Sequence, residues 1–278
     1  MCEASQMKSR GIINDLARLF MVGISVVCLN STTSAQTEPN RYREQLEPLI
    51  KRVMRDAEMP GFAIAVVDDR RVVYAAGFGV RDTASKQPAS ARSLFHMASV
   101  TKLFVTTSIM QLQGQGKVDL NAPVVKYLPY FRLADERYQR ITVRQMLNHT
   151  SGMPDVEHYE WDKPQYDVGA LERYVKSLTN YSLISEPGTR MQYSNMAYEV
   201  LGDLIAKVSG MSFEDYVRRR IFEPLGMKSS TLMVKEADAG LLTSPHVLGA
   251  SYEVEVSKSF LTTERIHRAG PSFPTCST

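Results

Sequence analysis

Two short groups of residues carry the reactive chemistry of this sequence. The first is Ser99-Val100-Thr101-Lys102. Three residues apart at the start of a helix, the Ser99 hydroxyl and the Lys102 ammonium project from one face within hydrogen-bonding reach. A serine hydroxyl is a poor nucleophile unaided, and a lysine whose surroundings favour the neutral amine can take its proton. A serine at a helix N-terminus also sits beside free backbone N–H groups and the positive end of the helix dipole, which favour negative charge developing during attack on a carbonyl. The spacing alone is not specific. Ser5-Gln6-Met7-Lys8 matches it as well, and a capping serine with an exposed lysine one turn later has the same pattern.

The second group is Tyr193-Ser194-Asn195, the only Tyr-x-Asn in the chain. A phenol near a cationic lysine can take or give a proton, and an amide can hold a substrate and contact Lys102. Read in isolation, Asn195 is a helix N-cap; paired with Ser99 and Lys102 it completes a set for acyl transfer. His149 invites a Ser-His-Asp triad, but Lys102 and Tyr193 already fill the role of base. His96, His158, His246 and His267 lack the Cys, His or carboxylate spacing of a metal site, so neither a metal nor an organic cofactor is expected. Tyr159, Trp161 and Tyr166 could line a cleft or belong to a subdomain core.

The surrounding pattern supplies elements to position these groups. Leu46, Leu49, Ile50, Val53, Met54 and Ala57 recur at helical spacing before Pro60-Gly61. Runs 62–67 and 72–78 flank a polar turn and predict an antiparallel hairpin. A helix is predicted from Ser99 to about Gln113, ended by Gly114 and Gly116. Residues 121–187 break into short helical patterns, a helical subdomain. Met196, Ala197, Val200, Leu201, Leu204, Ile205 and Val208 form an apolar stripe stopped by Gly210. Ser212 and Asp215 open a further helix that Pro224 ends.

Six ordered segments resemble the serine β-lactamase-related family: 60–67, 77–80, 94–102, 147–154, Glu186-Pro187-Gly188 and Tyr193-Ser194-Asn195. The resemblance covers roughly residues 44–235. It implies an acyl-enzyme on Ser99, with Lys102 assisting deprotonation, Tyr193 shuttling the proton, Asn195 positioning substrate and the Ser99 backbone N–H donating to the oxyanion. Pattern and resemblance together predict an α+β fold, an antiparallel sheet flanked by helices plus the helical subdomain, with the site at their junction. The implied partner is a small molecule or peptide with an amide or ester carbonyl: a β-lactam, a D-Ala peptide or a simple ester.

A third family motif, Lys or His, any residue, then Gly, is expected on a strand beside the nucleophile. His267-Arg268-Ala269-Gly270 has one residue too many, Thr150-Ser151-Gly152 lies in the wrong region, and Lys228-Ser229-Ser230 lacks the Gly. The tail from Gly270 to Thr278 has turn composition and predicts no terminal strand or helix. The expectation is a family domain over 36–278 that lacks its C-terminal part, including several strands and one oxyanion donor. Its rival is a non-catalytic truncated relative that at most binds peptidoglycan-like ligands.

Composition bounds the rest. The 278 residues are 44% hydrophobic and 23% charged, enough for a real core, and a net charge of +3 without basic runs gives no footprint for nucleic acid. Residues 1–35 read as an export signal: Lys8, Arg10 and Arg18 precede an apolar run from Leu19 to Leu29, and Thr33-Ser34-Ala35 supply small residues for cleavage. That run is too short to span a bilayer, so a periplasmic or secreted protein without a stable membrane span is expected. Cys2 and Cys28 would leave with the signal. Cys276 alone would remain, with no partner for an internal disulfide.

Overall fold

The computed structural model describes residues 38–155, 165, 167–248, 253–256 and 275–276. The expected signal at 1–35, and His158, Tyr159, Trp161, Tyr166 and His267, lie outside the described residues.

Helix α1 (Glu38–Asp56) packs against the second strand of the hairpin, where Ile50 and Tyr74 are buried. Strands β1 (Gly61–Asp68) and β2 (Arg71–Gly79) pair antiparallel from Gly61 opposite Gly79 to Asp68 opposite Arg71, with a bulge between Val66 and Val67. Their two-residue turn places Asp69 (φ 43°) and Arg70 (φ 63°) in the left-handed region. Such turns match the right-handed twist of the strands they join. Strand β3 (Phe95–His96) leads into a 3-10 turn, Ala98–Val100, and then into α2 (Thr101–Gly114).

The chain next forms 3-10 turns at Val124–Lys126 and Glu136–Arg140 and two short helices, α3 (Val143–Leu147) and α4 (Ala170–Ser177). Helix α5 (Asn195–Ser209) follows, then α6 (Phe213–Val217), which continues as a π-turn over Arg218–Phe222. Strands β4 (His246–Leu248) and β5 (Val254–Val256) form a separate antiparallel pair.

Helix α5 is the centre of the helical part. Every residue from Met196 to Ile205 is buried, as expected for a helix apolar around most of its circumference. It packs against α2, α3, α4 and α6, with Val105, Ile109 and Leu112 of α2 in the same core. Ser194 caps it by accepting from the Ala197 N–H at 3.1 Å, and Gly210 ends it at φ 72°.

Three local expectations change. Ser99 lies in a 3-10 turn, one step before α2: Ala98 takes φ 44°, and the Val100 N–H bonds back to the Met97 carbonyl at 3.0 Å. Helix α2 runs through Gly114, and Gly116 supplies the left-handed residue at φ 70°. The tail is not without a strand, since β6 (Thr275–Cys276) pairs antiparallel with β3 and satisfies backbone groups of that short edge.

Leu201, fully buried in the middle of α5, tests this packing. Leu201→Ala is expected to lower unfolding free energy by about 2–5 kcal/mol, read from urea titration. A change below about 1 kcal/mol would place that face of α5 outside the core.

Candidate active site

The site forms where the start of α2 meets the start of α5. The Ser99 and Tyr193 hydroxyls, 94 positions apart in sequence, are 2.8 Å apart. Lys102 Nζ donates to Ser99 Oγ at 3.4 Å and also to Asn195 Oδ1. It stands 4.8 Å from the centre of the Tyr193 ring and 5.4 Å from that of Tyr198. All four residues singled out by spacing therefore meet at one point. Ser99 is exposed and Tyr193 is 38% exposed, so the hydroxyl pair opens to solvent while Lys102 lies partly covered behind it.

Each side chain is held by its element. Lys102 is one turn along from Ser99, and the buried face of α2 fixes the helix that carries it. Asn195 is the first residue of α5; the N-cap is Ser194, one position earlier than the isolated sequence reading gives. Ser194 is buried, and its hydroxyl accepts from Ala197 N–H and donates to the Pro154 carbonyl at 2.8 Å. The capping serine thus ties α5 to the segment 149–155.

That segment lies along 184–195 through backbone bonds: Gln192 N–H to the His149 carbonyl, Gly188 N–H to Thr150, and Ile184 N–H to Gly152, at 2.7, 2.7 and 2.9 Å. Gly152 is at φ 77°, and a Cβ there would stand 2.3 Å from the Ser185 carbonyl oxygen, so the close approach requires glycine. Asp155 follows, accepting from the Asn195 backbone N–H at 3.0 Å and from Asn195 Nδ2 at 3.1 Å.

His149 makes contacts suited to a support rather than a triad base. Its ring stacks on Tyr193 with centroids 4.5 Å apart, lies 5.0 Å from the Tyr198 ring, and accepts the Ser194 N–H on Nδ1 at 3.2 Å. A backbone N–H can only donate, so Nδ1 is unprotonated here. Burial, then the charge of Lys102, hold the imidazole below its ordinary pKa against the pull of Asp155. Among the described residues no group of three His, Cys, Asp or Glu side chains gathers as a metal site, and no helix is long and apolar enough to cross a membrane.

The Beta-lactamase family profile matches residues 46–252. The chain belongs to the beta-lactamase family. It is 32% identical to penicillin-binding protein 4* of Bacillus subtilis (strain 168) over 193 residues, 68% of this chain and 41% of that protein. It spans about two fifths of the length of the curated relatives it matches. Among solved structures, a class C beta lactamase superposes with TM-score 0.68 at 23% identity, covering 87% of this chain and 64% of that one. EstCE1, described as a hydrolase with promiscuous acyltransferase activity, gives 0.70 at 21%, covering 86% and 70%. These likenesses establish the α+β fold of the beta-lactamase family.

Beyond the spacing motifs, the fold brings Tyr198, Asp155 and Glu199 to the site. Tyr198 is buried and donates to the Leu147 carbonyl at 2.8 Å; it stands outside the apolar stripe read from the sequence. Glu199, one turn beyond Asn195, is 1% exposed. Burial raises its pKa well above the ordinary carboxylate value, outweighing the Tyr174 hydroxyl and the charge of Lys102, which lower it. A charged residue inside an apolar stripe was the signal that could have marked it.

A buried acid that keeps its proton in the folded state loses stability as pH rises above its unfolded pKa, by about 1.4 kcal/mol per pH unit until the folded pKa is reached. Glu199→Gln is therefore expected to match the parent at pH 4 and to melt higher at pH 7, in differential scanning calorimetry at both pH values. A variant that melts lower than the parent only at pH 7 would mean that Glu199 is ionised and paired.

Proposed function

We propose that this chain is a serine hydrolase that forms an acyl-enzyme on Ser99 from a substrate with an amide or ester carbonyl. The observation that carries the reading is the 2.8 Å contact of the Ser99 and Tyr193 hydroxyls with Lys102 Nζ beside them. Nucleophile and base must be within hydrogen-bond reach for proton transfer, and these are.

In the proposed reaction Ser99 Oγ attacks the carbonyl carbon while its proton passes to the Tyr193–Lys102 unit. The two groups share one hydrogen-bonded system with Ser99 and act jointly. Negative charge on the carbonyl oxygen is met by the Ser99 backbone N–H, in the 3-10 turn that leads into α2. The same unit returns the proton to the departing amine or alcohol, leaving the acyl group on Ser99. It then takes a proton from water, whose oxygen attacks the ester, and returns that proton to Ser99 Oγ as the acyl–oxygen bond breaks and the acid leaves. Asn195 holds Lys102 and, in this reading, helps to position the substrate. The substrate is a β-lactam, a D-Ala peptide or a simple ester, a range in keeping with the likeness to a penicillin-binding protein, a class C beta lactamase and a hydrolase with promiscuous acyltransferase activity. The signal-like residues 1–35 support a periplasmic or secreted location for this activity.

The expected outcome is covalent labelling of the purified chain by a fluorescent penicillin or a fluorophosphonate, seen as a mass increase on one site. Ser99→Ala abolishes it, and Tyr193→Phe slows it by about 10²–10⁴-fold. Labelling that survives Ser99→Ala would refute the nucleophile; no labelling of the parent chain by either probe would favour a non-catalytic relative.

A further inference from the structure

Asn195 can lie either way round, and only one orientation serves the site. Its oxygen meets the Lys102 ammonium and its nitrogen meets the Asp155 carboxylate at 3.1 Å. Turned over, the amide would set its own oxygen against a carboxylate oxygen and its NH₂ against an ammonium, two repulsive contacts in place of two charge-assisted bonds. Asp155 also accepts the Asn195 backbone N–H at 3.0 Å, one of the N–H groups that the first turn of a helix leaves unpaired. Each carboxylate oxygen thus accepts one bond from Asn195.

Asp155 is itself placed from outside α5. Gly152 allows the turn before it, Ser151 Oγ accepts the Met153 N–H at 3.2 Å, and the Pro154 carbonyl is bonded by Ser194. The geometry points to Asp155 as a positioning residue that aims the Asn195 oxygen at Lys102 and so sets where Lys102 stands relative to Ser99. It touches no reacting atom. The inference rests on the reading of Ser99, Lys102 and Tyr193 as the catalytic set. A mere helix-capping role is the alternative, and it makes a different prediction. In Asn195→Ala the capping bond to the backbone remains while the side chain to be aimed is gone.

The experiment is a double-mutant cycle on the full chain, read as the rate of fluorophosphonate labelling of Ser99. Asp155→Asn keeps size and shape but offers an NH₂ to a donor, which favours the turned amide. It is expected to slow labelling about ten- to a hundredfold in the parent, the scale of a hydrogen bond to a charged group, and less than about threefold in Asn195→Ala. Asp155→Glu, which keeps the carboxylate, restores part of the rate. Equal losses in both backgrounds, or parent-like labelling by Asp155→Asn, would overturn the inference.

Turnover is not needed for the second reading. The Asn195 side-chain NH₂ signal, identified by its absence from the Asn195→Ala spectrum, is expected to exchange slowly with water in the parent and at free-amide rates in Asp155→Asn. Equal exchange in the two would also overturn the inference. Failure of labelling in the parent, or labelling that persists in Ser99→Ala, would count against the hydrolase reading, while the exchange measurement still decides the orientation of Asn195.

Discussion

The bond between the Lys102 ammonium and the Asn195 oxygen joins two packed helices at their first turns. Its strength depends on neither partner drifting, and this is why the apolar packing of α2 against α5 matters to the chemistry. Val105, Ile109 and Leu112 on one side and the continuous buried run of α5 on the other hold the two helix starts in register. Interiors at crystal-like density resist small displacements. A site that needs a 2.8 Å contact between hydroxyls from segments 94 residues apart can use that resistance directly.

The segment 149–155 is the other half of the arrangement. One stretch of seven residues supplies the ring under Tyr193, the acceptor for the Ser194 N–H, the carbonyl that the capping serine bonds, and the carboxylate on Asn195. Its residues address three consecutive positions, Tyr193, Ser194 and Asn195, with a different kind of contact for each. Backbone bonds to 184–192 hold it in place. The tyrosine ring and the asparagine amide are thereby fixed relative to each other, the kind of preorganisation that the proposed acyl transfer would use.

Much of this was legible in the sequence where local geometry decides. Helical spacing places Ser99 and Lys102 on one face, the apolar stripe and Gly210 bound α5 closely, and β-rich runs around a polar turn give the hairpin. What was not legible depends on tertiary contact or on backbone angles. The 3-10 turn at Ser99 follows from the left-handed Ala98, which no composition signal marks. The bulge at Val66 and Val67 and the pairing of Thr275–Cys276 with Phe95–His96 are matters of register and long-range partners. Glu199 was passed over because periodicity counts apolar residues, and a neutral buried acid behaves like one. Asp155 stands one residue past the resembling segment 147–154, and only its two bonds to Asn195 reveal its part.

Ala98 has a consequence for engineering. A residue with a Cβ held at φ 44° directly before Ser99 stores about 1–3 kcal/mol of backbone strain that the surrounding fold must offset. Glycine at this position would relieve the strain and raise the melting point, yet it would also free the turn that presents Ser99. Stability and the placement of Ser99 are thus opposed at a single atom, so selecting for heat resistance alone would tend to find position 98 and loosen the turn on which the proposed acyl transfer depends.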